Sequence, residues 1–324
     1  MKLKTFLFVQ LLTLAFFSTK AQPSKSAFKI VGYYSLSSAM TANVKSVPFK
    51  NLTHINLWFL NPDSLGNFTR DFSALAPFIR AAHRKYVKVL FSIAGGSKHP
   101  QYHTLLKDDK RAMLIDNLLS EVLLYNMDGI DVDLEGSDID ENYENFVVEL
   151  AGSLRSRDKL ITAAIAVYYK DQLSDKALEQ YDFVNVMSYD RTGPWRPGKP
   201  GPHSTYAHAK EDLEYFGTER KIRKEKMTLG VPFYGYGYGP ELTSPAISMN
   251  YREIVSTFPG AELVDQWNMP DGKILYYNGI PTMRQKTALA KEKASGIMIW
   301  ELQGDADRSK SLLKAIHKIG SRKR

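Results

Sequence analysis

The chain has 324 residues, 43 basic against 35 acidic side chains, a net charge of +8 and no cysteine. That length supports one large domain or two small ones, and the missing cysteines remove disulfides, thiolate metal sites and cysteine nucleophiles together. The basic residues are scattered, with small clusters at 220–226 and 322–324 and no aromatic-interleaved basic groove, so the surplus reads as solvated surface and no nucleic-acid partner is expected.

Residues 1–21 read as a signal peptide. Lys2 and Lys4 precede an apolar run over 6–17, and Thr19-Lys20-Ala21 brings small residues to a cut before Gln22. The run is short for a bilayer span, so soluble export to the periplasm or the medium is expected without a stable membrane anchor; an uncleaved anchor is the alternative. After a polar linker at 22–26, strands are predicted at 29–34, 52–60 and 87–93. Between the second and third, Phe72, Leu75, Phe78, Ile79 and Ala82 recur at helical spacing. Leu114, Leu118, Val122 and Tyr125 repeat that spacing before an acidic stretch at 128–135, and Tyr143, Phe146, Val147, Leu150 and Leu154 repeat it after. Further strands are predicted at 160–167, 183–189, 227–234 and 296–301, with helices at 206–216 and 309–319. Eight strands separated by helices fit an α/β chain folded as a (β/α)8 TIM barrel over 22–324, a doubly wound open sheet being the competing architecture.

Two segments exceed a minimal barrel. The loop 191–203 is rich in proline and glycine and carries Trp195, which makes it a candidate rim of a site. The interruption 239–295 between strands seven and eight holds Tyr251, Trp267, Tyr276 and Tyr277, with turn signals at Pro270-Asp271-Gly272 and Asn278-Gly279; it predicts a small insertion at about 239–282, a reduced subdomain or a hairpin. The run Tyr234-Gly235-Tyr236-Gly237-Tyr238-Gly239 has no P-loop lysine after it and reads as a flexible aromatic loop beside the cleft.

The chemistry concentrates in Asp128-Gly129-Ile130-Asp131-Val132-Asp133-Leu134-Glu135. Strand side chains alternate faces, so Asp131, Asp133 and Glu135 share one face and Ile130, Val132 and Leu134 the other. Three aligned carboxylates at a barrel mouth are costly unless they share protons, do chemistry or hold a divalent cation through hard oxygen ligands. Asp128 lies off that face and is assigned to structure at the strand entrance. The seven histidines show no HExxH spacing, and His54, inside an apolar strand, reads as a hydrogen-bonded structural residue.

The acidic stretch resembles the DGxDxDxE signature of family 18 glycoside hydrolases, the chitinases and their relatives. Four further segments resemble that family's motifs in the same order: Phe91-Ser92-Ile93-Ala94-Gly95-Gly96, Val186-Met187-Ser188-Tyr189-Asp190, Leu229-Gly230-Val231-Pro232-Phe233-Tyr234-Gly235 and Gly296-Ile297-Met298-Ile299-Trp300-Glu301. The resemblance disfavours the metal reading; no metal and no cofactor are expected. Asp133 and Glu135 approach from the same side, and no second carboxylate stands out for a conventional retaining pair, which favours attack by the substrate's own 2-acetamido group, a known exception of this family. By resemblance, Glu135 protonates the leaving oxygen and then deprotonates water, Asp133 accepts the acetamido N–H, and Asp131 shares a proton with Asp133 so that the two titrate as a unit. Tyr189 hydrogen-bonds the acetamido carbonyl, Trp300 floors the sugar, Tyr33 and Ser92 hold the aspartates from below, and Met187 and Asp190 line the acetamido pocket.

Some residues depart from the family pattern. Ser97 follows Gly96 where many chitinases carry a stacking tryptophan, Leu134 precedes Glu135 where tryptophan is frequent, and Gly136 follows it in place of an aromatic. Fewer platforms weaken the case for processive action on crystalline chitin, although Trp195, Tyr236, Tyr238 or Trp267 could compensate. The implied function is an exported hydrolase, expected as a monomer, that cleaves β-1,4 bonds after N-acetylglucosamine in chitin or chito-oligosaccharides with retention. An endo-β-N-acetylglucosaminidase acting on N-glycans or peptidoglycan would use the same residues. A chitinase-like protein that binds chitin without turnover is the alternative of another class, and such relatives usually lose the acid that Glu135 supplies here.

Overall fold

A computed structural model describes residues 28–196, 198–239 and 246–322. The predicted signal peptide lies outside these residues. Eight strands close into a barrel: β1 (Lys29–Ser35), β2 (His54–Trp58), β3 (Lys88–Ala94), β4 (Gly129–Asp133), β5 (Leu160–Ile165), β6 (Phe183–Val186), β7 (Met227–Pro232) and, after an insertion of four strands, β12 (Gly296–Trp300). Every neighbouring pair is parallel, and β12 pairs with β1 to close the ring. Each barrel strand is followed by a helix: Leu36–Thr41, Ala76–His83, Asp108–Leu124, Tyr143–Arg155, Asp175–Gln180, Tyr206–Glu214, Ile280–Lys293 and Leu312–Gly320. This is the expected (β/α)8 architecture. Among the described residues no helix is long and apolar enough to cross a membrane.

The helix Tyr143–Arg155 shows why the layers pack. Tyr143, Phe146, Val147, Leu150, Ala151 and Leu154 form one buried stripe at three- and four-residue spacing. The outward residues of β4, Ile130 and Val132, join Leu134 in the same apolar core, as the alternation required. The inward residues are different in kind. Asn56, Ser92, Asp131, Thr162, Asn185 and Thr228, one from each of six strands, are fully buried and polar. Val31, Tyr33, Phe183, Tyr189 and Met298 form a separate apolar cluster, with Trp58, Met187 and Trp300 against it. A barrel interior is filled with side chains, so the acids at its upper end face a packed floor.

The structure shortens some predicted strands. β2 spans His54–Trp58 rather than 52–60, and β6 ends at Val186, so Met187, Tyr189 and Asp190 stand on the loop that leaves the strand. A larger correction concerns 234–239. This run is a strand, β8 (Tyr234–Tyr238), in a four-stranded antiparallel sheet with β9 (Ile247–Asn250), β10 (Gln266–Asn268) and β11 (Ile274–Tyr276), ordered β10-β11-β8-β9. Glycine has low strand propensity, which masked the period of two. In the sheet the alternation separates two faces: Tyr234, Tyr236 and Tyr238 cluster together, while a Cβ on Gly235 would lie 2.4 Å from the Tyr276 carbonyl oxygen and one on Gly237 2.8 Å from Ile247. The helix Tyr251–Thr257 completes the insertion, which is therefore a small α+β unit rather than a hairpin.

Candidate active site

β4 carries the acids into the barrel mouth. Register places Ser92 and Thr162 on either side of Asp131, and Ala94 beside Asp133. Asp131 is fully buried and accepts four hydrogen bonds: from the Tyr33 hydroxyl at 2.5 Å and Ser92 Oγ at 2.8 Å on Oδ2, and from Thr162 Oγ1 at 2.5 Å and Asn185 Nδ2 at 3.2 Å on Oδ1. Burial holds its carboxyl above the ordinary range, and the four bonds offset only part of that rise.

Asp133, two residues on, is 3% exposed, and its Oδ1 is buried without a hydrogen-bond partner. Burial first, then the charge of Glu135, then that of Asp131, hold its carboxyl well above the ordinary range. Glu135 follows the strand in extended conformation (φ −127°, ψ 147°), which keeps the alternation and brings it to the same cavity as Asp133. Its carboxyl is pushed up to about 7 by burial first, then by the charges of Asp190 and Asp138. Asp131 accepts from four neutral donors, while the charges acting on Asp133 are those of Glu135 and Asp131.

The cavity at the strand ends has a volume of about 440 Å³. Asp133, Glu135, Met187, Tyr189, Asp190 and Trp300 all line it, although they arrive from three separate strands and loops. Tyr33 and Ser92 stand beneath, in the wall that holds Asp131. Trp300 is half-buried on an aromatic stack, 5.8 Å from Phe59 (22° between planes) and 5.2 Å from Tyr33. The Tyr189 ring is buried, and its backbone carbonyl accepts a hydrogen bond from the Tyr168 hydroxyl at 2.9 Å.

Asp190 has φ +60°, a left-handed conformation in which a non-glycine residue is uncommon. Its Oδ1 accepts from the Tyr234 hydroxyl at 2.6 Å and the Tyr236 hydroxyl at 3.2 Å, and His203 Nδ1 lies 3.2 Å away. The inserted sheet thus reaches back to the barrel loop that carries Tyr189. Trp195 lines the outer cavity, 57% exposed, edge-on to Tyr236 at 5.7 Å. Trp267 is not at the cavity; it stacks on Phe258 inside the insertion (5.6 Å, 24°). Asp128 accepts from His83, Lys88 and the Val89 backbone at 2.7–2.9 Å at the entrance to β4, as a structural residue does. His54 pairs with Thr53 Oγ1 at 2.8 Å, and burial lowers it to about 4.

Sequence reasoning missed Thr162, Asn185, Tyr168, Arg196 and the bonds that tie Tyr234 and Tyr236 to Asp190. A signal for the first two was present: each is a lone polar residue inside an apolar strand, and a buried polar group needs a partner. Tyr168 and Arg196 sit on loops, where nothing local marks a cavity wall. Among the described residues no group of histidine, aspartate and glutamate side chains converges closely enough to hold a metal ion.

Comparison with known proteins agrees with this geometry. The profile of Glycosyl hydrolases family 18 matches residues 29–305. The GH18 chitinase ChiB from the chitin utilization locus of Flavobacterium johnsoniae superposes with a TM-score of 0.80 at 36% identity, over 91% of this chain and 94% of that one. A chitinase from Bacteroides thetaiotaomicron superposes with a TM-score of 0.76 at 28% identity, over 91% and 97%. In sequence, an uncharacterized glycosylase of Bacillus subtilis (strain 168) is 24% identical over 63% of this chain and 64% of its own length. The chain therefore spans just under two thirds of that relative. A barrel of this topology, acids at this position on its fourth strand and a family match across nearly all of the described residues lead to one conclusion: the chain belongs to family 18 of the glycosyl hydrolases.

Proposed function

We propose that the protein is an exported hydrolase that cleaves the β-1,4 bond after an N-acetylglucosamine unit in soluble or amorphous chitin and chito-oligosaccharides, with retention and with the substrate's acetamido group as nucleophile. The observation that carries this reading is the pairing of Asp133 and Glu135 on one side of a single cavity. A conventional retaining pair flanks the sugar at about 5–5.5 Å between carboxyls, acid on one face and nucleophile on the other. The other acid lining the cavity, Asp190, is bound by two tyrosine hydroxyls and adds its charge to Glu135. Neither feature suits a protein nucleophile. The nucleophile is then the acetamido oxygen, and the polymer named for the Flavobacterium relative, chitin, offers that group on every sugar.

Roles follow from the electrostatics. Glu135, held up to about 7, carries its proton through the acidic and near-neutral range and can give it to the leaving oxygen. Above about pH 7 it ionises, so kcat/KM falls on that side. The unpartnered Oδ1 of Asp133 is the free acceptor for the acetamido N–H. Tyr189 and Met187 border the acetamido group, Asp190 fixes the loop between them and the inserted sheet, and Trp300 forms the floor on which the sugar ring lies. Trp195 extends that surface outward.

Mass spectrometry of the products tests this, after incubating the purified protein with chitopentaose and, separately, a high-mannose glycopeptide. Short N-acetylglucosamine oligomers from the first are expected. Cleavage of the glycopeptide alone, between its two core sugars, would replace the chitinase reading with an endo-β-N-acetylglucosaminidase. No product from either would sink the chito-oligosaccharide reading.

A further inference from the structure

We infer that Lys286 is a positioning residue: from the helix that follows the insertion it clamps the base of the loop leaving β6, and so sets where Tyr189, Asp190 and Trp195 stand at the cavity. This rests on the reading of those three residues as walls of the substrate site. Lys286 lies in the helix Ile280–Lys293 and is fully buried. Its ammonium donates to Ser204 O at 2.9 Å, Ser204 Oγ at 2.7 Å and Asn278 Oδ1 at 2.8 Å. An ammonium has three donors and no acceptor, so each donor here has its own neutral oxygen.

The oxygens belong to two parts of the chain that meet at the rim. Ser204 stands just before the helix Tyr206–Glu214, where the loop from β6 ends, and Asn278 stands between β11 and the helix that carries Lys286. Ser204 Oγ donates in turn to Ser188 O at 2.6 Å, and Asn278 Nδ2 donates to Ser204 O at 2.8 Å. One step inside that bridge, Arg191 N donates to His203 O at 3.1 Å. The two feet of the loop are thus tied to each other, and Lys286 ties them to the helix. Tyr189 and Asp190 follow directly on the clamped Ser188.

Burying an ammonium is unfavourable: burial lowers Lys286 to about 7, and the charges of Asp265 and Asp212 offset only part of that fall. The helix itself does not need the charge, since Met283, Leu289 and Ala290 fill its buried side with apolar groups. The loop base does need it. Without the ammonium, Asn278 Oδ1 loses its donor and each Ser204 oxygen loses one, all in a buried space. A displacement of the base passes to Tyr189 and Asp190, and a misplacement of about 1 Å at a reacting centre can cost about 10²-fold in rate.

Lys286→Met keeps an unbranched stem and removes the ammonium, while Leu289→Ala weakens the same helix and leaves the clamp in place. Kinetics on chitopentaose and amide hydrogen exchange read by mass spectrometry would be measured for both at about pH 6, where the ammonium form prevails. Lys286→Met should lower kcat/KM about tenfold and speed exchange over 188–195 by a similar factor, the size of one hydrogen bond to a charged group. Exchange over 129–135 should stay at the wild-type rate, and Leu289→Ala should keep wild-type kcat/KM. Ser204→Ala cuts the same path one step on, so the double variant with Lys286→Met should lose less than the product of the two single losses. Wild-type kcat/KM in Lys286→Met, an equal loss in Leu289→Ala, losses that multiply, or unchanged exchange over 188–195 would each overturn the inference. If Lys286→Met does not fold, Ser204→Ala carries the kinetic and exchange readouts, with the same direction expected and the same results overturning it. Should wild type cut no chito-oligosaccharide, the catalytic reading fails by itself, while the exchange measurement still tests the clamp.

Discussion

Asp131 on β4 and Glu135 just past its end lie four residues apart with the same parity, yet they occupy different surroundings. At the floor, Asp131 is sealed from solvent and receives donors from four other strands of the barrel. At the mouth, Asp133 has a bare buried oxygen, and Glu135 faces the charges of Asp190 and Asp138. The floor surrounds its acid with donors, and the mouth leaves a buried acid oxygen without one. Both ends carry carboxyls of the same parity, so the difference comes from neighbours: burial raises all three, and only Asp131 has donors that offset part of the rise.

The sharpest way to break the comparison is at the mouth. Glu135→Gln should leave the barrel folded and lower kcat by about 10²–10⁴-fold, the range for a positioned acid; kinetics alongside circular dichroism would check both halves. The same variant tests the electrostatics through stability. Glu135 is raised from an ordinary 4.5 to about 7, so wild type loses stability as pH rises through that window, and glutamine does not. Its advantage in thermal unfolding should be absent below about pH 4.5, grow to on the order of 3 kcal/mol near pH 7, and stay level above. A flat difference would mean that Glu135 is not raised.

Asp133→Asn comes next, with an expected loss of about 10²-fold, because an amide can offer the acetamido N–H the wrong group and so misorient the nucleophile. A substrate without the acetamido group should react as slowly with wild type as the acetylated one does with this variant. Equal rates of the two substrates on wild type would refute substrate assistance.

The rim allows smaller tests. Gly235→Ala would drive a Cβ into the Tyr276 carbonyl, so a destabilisation of about 1–3 kcal/mol, typical of overpacking, is expected in denaturant unfolding. Because β8 also carries Tyr234 and Tyr236 to Asp190, activity should fall with it; unchanged kinetics would separate the inserted sheet from the site. The smallest effect belongs to Trp195→Ala. Its ring is largely exposed, so stability should stay within about 0.5 kcal/mol, while KM for chitopentaose rises about two- to tenfold at constant kcat. No change in KM would remove Trp195 from the binding surface.

Local pattern alone determined a good deal of this protein. The alternation of Ile130, Val132 and Leu134 with Asp131, Asp133 and Glu135 assigns each side chain to a face, because strand geometry repeats every two residues whatever the surroundings. Helical stripes such as Tyr143 to Leu154 likewise need only a period and a core, and the succession of strands and helices then admits a barrel. The rest depended on contacts across the chain. Thr162 and Asn185 reach Asp131 from 31 and 54 residues away, and strand register, which no local pattern encodes, decides that they meet it. Tyr234 to Tyr238 became a strand because neighbouring strands close over its glycines, overriding a weak local propensity. Protonation was decided latest of all: Asp131 and Glu135 differ through donors and charges assembled only when the barrel closes, since burial and through-space charge exist only in the folded chain.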